Sequence, residues 1–256
     1  MGIMDFSILI PYDLFPWQWL VWMGLGLSIG LSKTGFSSAS SAILPVIAVI
    51  FGAMESTGLT LPLFCFADIL AVLYYHRHAE WKYILKLLPW TLAGFGVTLF
   101  VVHLVPVQAF KYLMGCSILV GITVMIWNES WGKNKPPPSS LWFSGLFGIV
   151  GGFAIMMGPA AGSIIAVYLL SMRLPKNSFV GTTAWFFLIA NFLRLPLLIF
   201  AWKTITVKTL LFNLTLLPAI SAGTVLGIVL IKKISEPLYR KVIIILTLMS
   251  TLLLFF

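Results

Sequence analysis

Charged side chains are scarce in this chain: they make up 9% of its 256 residues, whereas hydrophobic residues make up 60%. An average soluble domain carries about 25% charged residues, so this chain has too few to cover a water-facing surface, which excludes a soluble enzyme. Its apolar stretches run for about 15 to 20 residues, close to the roughly 20 that cross a bilayer as a helix. Because they do not alternate apolar and polar residues as membrane β-barrel strands do, the composition predicts an all-α polytopic membrane protein.

Acidic residues are the scarcer of the two charged classes, with 7 against 16 basic residues and a net charge of +9. A basic balance can mark nucleic-acid binding, but no run of like charges here is longer than Lys232-Lys233. Basic residues on the cytoplasmic loops of a membrane protein explain the balance better. We therefore predict a lipid bilayer, and no nucleic acid, as the surroundings of this chain.

Cysteines and catalytic motifs are also scarce. The two cysteines, Cys65 and Cys116, lie in apolar stretches without a CxxC pattern, which predicts buried small hydrophobes. The chain contains no HExxH, GxSxG or Walker A motif. This excludes ATP-driven transport by the chain alone, and we predict neither an enzyme nor a cofactor or metal site.

Charges, prolines and glycines divide the chain into ten apolar segments. They lie near 17–32, 38–52, 57–75, 84–104, 108–127, 141–156, 160–172, 177–201, 207–231 and 238–256. The first two segments of each half are too short to span the roughly 30 Å apolar core, which indicates broken or re-entrant helices. The predicted organisation is an extracytoplasmic segment 1–16, a first repeat 17–127, a cytoplasmic linker 128–140 and a second repeat 141–256.

The basic residues between segments predict the orientation of the chain in the membrane. One side receives Arg77, Lys82, Lys86, Lys133, Lys135, Arg173, Lys176, Lys232, Lys233, Arg240 and Lys241. The other side receives only Lys111, Lys203 and Lys208. Because cytoplasmic loops carry the excess of Lys and Arg, the first side is predicted to be cytoplasmic and both termini extracytoplasmic.

The two halves of the chain resemble each other. At an offset of 123 residues, Gly35 matches Gly158, Gly58 matches Gly181, and Ala67-Asp68 matches Ala190-Asn191. At an offset of 129, the string LLPxxxAG of residues 87–94 recurs at 216–223. With five segments in each half, the second copy must enter the membrane inverted relative to the first. Inverted repeats with interrupted helices are typical of secondary transporters, whose substrate site lies near the bilayer midplane.

Lys33 is the most informative single residue, because an ionised Lys inside a membrane segment is costly unless it is paired or lines a wet cavity. It lies in a predicted helix break, followed by Thr34, Gly35, Phe36, Ser37 and Ser38. An ammonium, hydroxyl groups and the free N–H groups of the next helix together suit an oxyanion. The alternative interpretation is a Lys that extends to the membrane surface. Gly158 and Pro159, in the matching break, are predicted to supply unwound backbone to the same site.

Arg194 and Asp68 are two further charged residues within apolar segments. Arg194 lies one helical turn after Asn191 and offers a bidentate fork for a carboxylate, sulfonate or sulfite. A structural pairing with helix-end carbonyls is the alternative. Asp68 is interpreted as an ion-coupling residue: a proton carrier, a sodium ligand, or the partner of Lys33 or Arg194. A hydrogen bond between packed helices is again the alternative.

Across nearly its whole length the sequence resembles the TauE/SafE family of membrane permeases, which are associated with sulfite export and organosulfonate movement. The resemblance rests on 30–36 (GLSKTGF), Pro45, 67–72 (ADILAV), Tyr75, Trp81, Leu88-Pro89, Gly94, 144–148 (SGLFG), 151–153 (GGF), Gly181-Thr182 and Asn191. It implies a two-fold repeated helical fold in a bacterial inner membrane, carrying small sulfur oxyanions or sulfonates.

The residues and the resemblance together predict a secondary transporter that exports sulfite or an organosulfonate. Alternating access between the two repeats would move the anion, with H⁺ or Na⁺ as the coupling ion. A passive anion channel, or a permease for another small organic anion, is the alternative, since the same basic residues can line a pore. A homo-oligomer is compatible with the sequence.

Overall fold

The computed structural model of the protein describes residues 15–36, 44–51, 53–101, 140–157 and 161–255. These residues form helices joined by short turns. The helices are α1 (Pro16–Lys33), α2 (Leu44–Phe51), α3 (Ala53–Tyr75), α4 (Trp81–Val101), α5 (Leu141–Met157), α6 (Ala161–Ser171), α7 (Lys176–Pro196), α8 (Val207–Asn213), α9 (Leu217–Lys233) and α10 (Glu236–Phe255). The all-α prediction is confirmed for the described part of the chain, which contains no strand.

Most of the predicted segments correspond to these helices. α1 is longer than segment 17–32 by one residue at each end. Segment 207–231 corresponds to α8 and α9, which are joined by a 3-10 turn at Leu214–Leu216. The second segment of each half is short, with 8 residues in α2 and 11 in α6. Segment 108–127 and residues 128–139 of the predicted linker lie outside the described residues.

Among the described residues, four helical stretches are long and apolar enough to cross a membrane: Glu55–His78, Trp81–Phe100, Lys176–Phe200 and Val207–Lys233. Their outer faces carry large exposed apolar side chains, including Leu73, Phe100, Phe200 and Val225. Apolar side chains on an outer face are stable against lipid tails, and helices satisfy their own backbone hydrogen bonds there. The chain is therefore a multi-pass membrane protein.

The first helix ends inside the predicted break 31–36. α1 stops at Lys33, Thr34 and Gly35 form a turn, and Gly35 has a positive φ of 127°. A side chain is strained in this backbone conformation, so glycine is the residue that allows the chain to turn here. The break places Lys33 at a helix end rather than on the side of a continuous helix.

Close helix contacts pair the first segment of each half with the fourth segment of the other half. α1 packs against α9, and α5 packs against α4. At each interface the contacting residues follow the same order along both helices. Between α1 and α9 the contacts are Gly26 with Ala219, Gly30 with Gly223 and Thr34 with Gly227. Between α4 and α5 they are Leu87 with Gly148 and Thr91 with Gly152. Both pairs of helices therefore run parallel, and glycine allows their backbones to approach closely.

Helices α3 and α7 form the centre of the molecule and run antiparallel to each other. Gly58, near the start of α3, lies against Thr204, which follows α7. Gly181, near the start of α7, lies against Tyr75 and Ala79 at the end of α3. The middle of each helix consequently meets the middle of the other, where the buried charged residues lie.

Candidate functional site

The Lys33 side chain forms an ion pair with Asp68. Its Nζ lies 2.9 Å from Oδ1 and donates a hydrogen bond of 3.1 Å to Oδ2. The Lys33 side chain is 9% exposed and that of Asp68 is 0% exposed, so both charges have left water. Removing one partner of such a pair would leave the other charge buried without compensation. The pairing of Asp68 with Lys33, one of the partners that the sequence allowed, is therefore present in the structure.

Two aromatic rings flank the same ammonium group. Lys33 Nζ lies 4.8 Å from the ring centre of Phe64 and 4.4 Å from that of Phe187. Aromatic faces attract a cation within about 6 Å, most strongly where water is excluded. Phe64 and Phe187 are 123 residues apart, the offset that relates the two halves of the sequence. The two halves thus contribute matching rings to one cation.

Asn191 completes the surroundings of Asp68. Its side-chain Nδ2 donates a hydrogen bond of 2.7 Å to Asp68 Oδ2. Asp68 and Asn191 are also 123 residues apart, so residues at matching positions of the two halves touch each other. The contacts of the carboxylate come from an ammonium and an amide, which supply hydrogen-bond donors and no oxygen ligand.

Arg194 is the other buried cation, on α7 one turn after Asn191. Its guanidinium Nη2 donates a hydrogen bond of 3.1 Å to the carbonyl oxygen of Met156, in the last turn of α5. Arg194 is 6% exposed, and its buried Nε has no hydrogen-bond partner in the part of the chain that the structure describes. A cation at a helix C-terminus interacts favourably with the helix dipole. Nη2 of Arg194 therefore binds a helix-end carbonyl, as the alternative interpretation predicts, whereas Nε does not.

The buried charges do not balance. Among the described residues, the buried charged side chains are Lys33, Asp68 and Arg194. One carboxylate faces two cations, and its contacts are with Lys33 and not with Arg194. Because an uncompensated buried charge is unfavourable, a bound anion would stabilise this region.

The residues that follow Lys33 are held by neighbouring helices. The Thr34 hydroxyl donates to the Gly30 carbonyl oxygen at 3.0 Å, which completes the end of α1. The Tyr239 hydroxyl on α10 donates to the Gly35 carbonyl oxygen at 2.9 Å, and the buried Phe36 ring lies 6.4 Å from that of Tyr239. Of the other predicted site residues, Ser37, Ser38, Gly158 and Pro159 lie outside the described residues.

The structure adds residues that the sequence reasoning did not name. Phe64 and Phe187 lie four residues before Asp68 and Asn191, hence on the same helix faces. Their shared offset of 123 could have indicated them, but an aromatic residue in an apolar helix carries no signal of its own. The hydrogen bond between Tyr239 and Gly35 joins residues 204 positions apart, so no local sequence pattern predicts it.

Comparison with known proteins adds the family. A family model described as the sulfite exporter TauE/SafE matches residues 14–254. The chain belongs to the TauE/SafE family. No curated protein and no solved structure matches it significantly. As a TauE/SafE protein with several apolar helices, the chain is a membrane transporter of the sulfite-exporter type.

Proposed function

We propose that this TauE/SafE protein is a secondary transporter that exports a small sulfur-containing anion, such as sulfite or an organosulfonate. The observation that carries the proposal is Arg194, a buried guanidinium whose Nε and charge find no acceptor and no carboxylate among the described residues. A planar guanidinium binds two oxygens of one acidic group at once. Sulfite and sulfonates present three oxygens on one sulfur atom, which suits this donor geometry.

Two inverted repeats are proposed as the framework of transport. Three features support this arrangement: the antiparallel α3 and α7, the parallel pairs α1–α9 and α4–α5, and the contact between Asp68 and Asn191. Residues at matching positions touch each other only near an axis that relates the two copies. An axis through this contact would place the candidate site between the repeats, where alternating access requires it.

We further propose a proton, and not sodium, as the coupling ion carried by Asp68. Sodium requires oxygen ligands, whereas Asp68 contacts nitrogen donors. The charged groups on the described α-helices packed against α3 are Lys33 on α1, Lys176 and Arg194 on α7, Lys208 on α8 and Lys232-Lys233 on α9. Only Lys33 and Arg194 among them are buried, and of these two only Lys33 contacts the Asp68 carboxylate.

The proposed orientation follows from the basic residues. One side of the molecule carries the basic residues at the end of α3, the start of α4, the start of α7 and the end of α9, which are Arg77, Lys82, Lys176 and Lys232. Under the positive-inside rule this side faces the cytoplasm of a bacterial inner membrane. Both termini are then extracytoplasmic. A homo-oligomer stays a prediction.

Flux of sulfite and of taurine, a sulfonate, into proteoliposomes tests the proposed function. In Arg194→Gln, we expect flux to fall about 100-fold or more, because a hydrogen bond to a charged group contributes about 1.5–3 kcal/mol and the substrate also loses its counter-charge. Arg77→Gln, an exposed arginine in the 3-10 turn His76–His78, is the matched control and should keep wild-type flux.

Two outcomes would contradict the proposal. Wild-type protein that moves neither anion across the membrane would remove sulfur oxyanions as its cargo. Equal flux in Arg194→Gln and Arg77→Gln would remove Arg194 from the site. Saturable flux that is accelerated by unlabelled anion on the opposite side would support a carrier, whereas an ohmic single-channel current would support a channel.

A further inference from the structure

The surroundings of Asp68 are those that an oxyanion needs. Its carboxylate receives the Lys33 ammonium and the Asn191 amide, both at hydrogen-bonding distance. Charge-assisted donors of this kind bind carboxylate, sulfonate and sulfite oxygens by the same geometry. The side chain of Asp68 is fully buried, so water does not compete for these donors. The donors that hold Asp68 are thus of the kind that hold a bound oxyanion.

The aromatic rings add a reason to regard this as a site. Phe64 and Phe187 contact the ammonium from the two halves but accept no conventional hydrogen bond from it. If Asp68 leaves, Lys33 keeps its place between the rings and its N–H groups become free. An unpaired buried ammonium is costly, so its vacated position attracts another anion.

We propose that the Asp68 carboxylate takes the place of the substrate when the site is empty. It occupies the position beside Lys33 and Asn191 that the sulfur oxyanion takes when it binds. This rests on the proposed function. The incoming anion displaces the carboxylate from Lys33, and the Arg194 guanidinium, one turn along α7, holds the remaining oxygens. Asp68 thereby sets the affinity: only an anion that outcompetes a tethered carboxylate loads the site.

Asp68→Asn in the purified protein tests the proposal, because it keeps the side-chain shape and removes the competing charge. The probes are sulfite and methanesulfonate, and the measurement is isothermal titration calorimetry. A competitor that occupies the site lowers apparent affinity by the fraction of free sites, so we expect binding about 10-fold tighter or more in Asp68→Asn. The double variant Lys33→Gln/Asp68→Asn is the control, and it should lose this gain.

Binding in Asp68→Asn that is equal to or weaker than in the wild type would overturn the stand-in role while leaving the proposed function intact. Absence of binding by the wild type and by every variant would overturn the proposed function itself. If Asp68→Asn does not survive purification, infrared difference spectroscopy of the wild type replaces it. Methanesulfonate should then change the carboxylate stretching bands, and unchanged bands would overturn the proposal.

Discussion

The close contacts between helices make the sharpest test of the fold. A Cβ atom added at Gly223 on α9 would lie 2.2 Å from the carbonyl oxygen of Leu27 on α1. A Cβ atom added at Gly152 on α5 would lie 2.2 Å from the carbonyl oxygen of Thr91 on α4. Both obstacles are backbone atoms, which cannot turn away as a flexible side chain does. Gly223→Ala and Gly152→Ala must therefore push two helices apart.

The magnitude follows from two opposing effects. Overpacking of this kind costs about 1–3 kcal/mol, whereas replacing Gly by Ala within a helix gains about 0.5–1 kcal/mol. Gly24 on α1 and Gly96 on α4 have open space around the added Cβ, so Gly24→Ala and Gly96→Ala show the gain alone. Relative to these controls, the two close-contact variants should lose about 1–3 kcal/mol of unfolding free energy.

Thermal unfolding in detergent, followed by tryptophan fluorescence at one scan rate, measures the difference. For a chain of this size each kcal/mol shifts Tm by about 2–4 °C, so we expect Tm to fall by about 2–12 °C below that of the controls. Membrane proteins often unfold irreversibly, and the fixed scan rate keeps the variants comparable. Equal Tm values for Gly223→Ala and Gly24→Ala would refute the close approach of α1 and α9.

Three further predictions concern the site and its supports. Lys33→Met leaves Asp68 buried without its cation and should cost about 3–5 kcal/mol by thermal unfolding; Lys33→Met/Asp68→Leu should recover most of it, and no recovery would contradict the ion pair. Tyr239→Phe removes the donor to the Gly35 carbonyl and should cost about 1 kcal/mol in the same assay; an unchanged Tm would mean that this bond contributes nothing. Asp68→Asn should abolish any dependence of sulfite flux on a proton gradient, and persistent dependence would place the proton carrier elsewhere.

Much of the secondary structure was predictable because membrane helices are long apolar runs between charges. Segment 141–156 lies within one residue of the bounds of α5, and segment 177–201 matches α7 together with the π-helical turn Leu197–Ala201 that follows it. The end of α1 was predictable for a different reason, since Lys33, Thr34 and Gly35 interrupt an apolar run with a charge and a flexible residue. Local patterns of this kind are properties of the chain that need no tertiary contact.

The candidate site was predictable only in part. Lys33, Asp68 and Arg194 could be selected because ionised side chains in apolar segments are expensive and therefore functional or paired. Their partners could not be selected, because the sequence allowed Asp68 to pair with either Lys33 or Arg194. Lys33 contacts Asp68 across 35 residues, and Asn191 contacts Asp68 across 123. Such distances along the chain are closed by helix packing, on which local residue patterns carry no information.

The sequence by itself determined that this protein is helical, lies in a membrane, contains two similar halves and places Lys33, Asp68 and Arg194 within apolar stretches. Composition, segment length and the repeat offset can all be read from the sequence without any tertiary contact. Tertiary structure alone decided that Lys33 is neutralised by Asp68 while Arg194 keeps a free nitrogen. The physical reason is that charge compensation depends on distances of about 3 Å, which are set where helices α1, α3 and α7 meet.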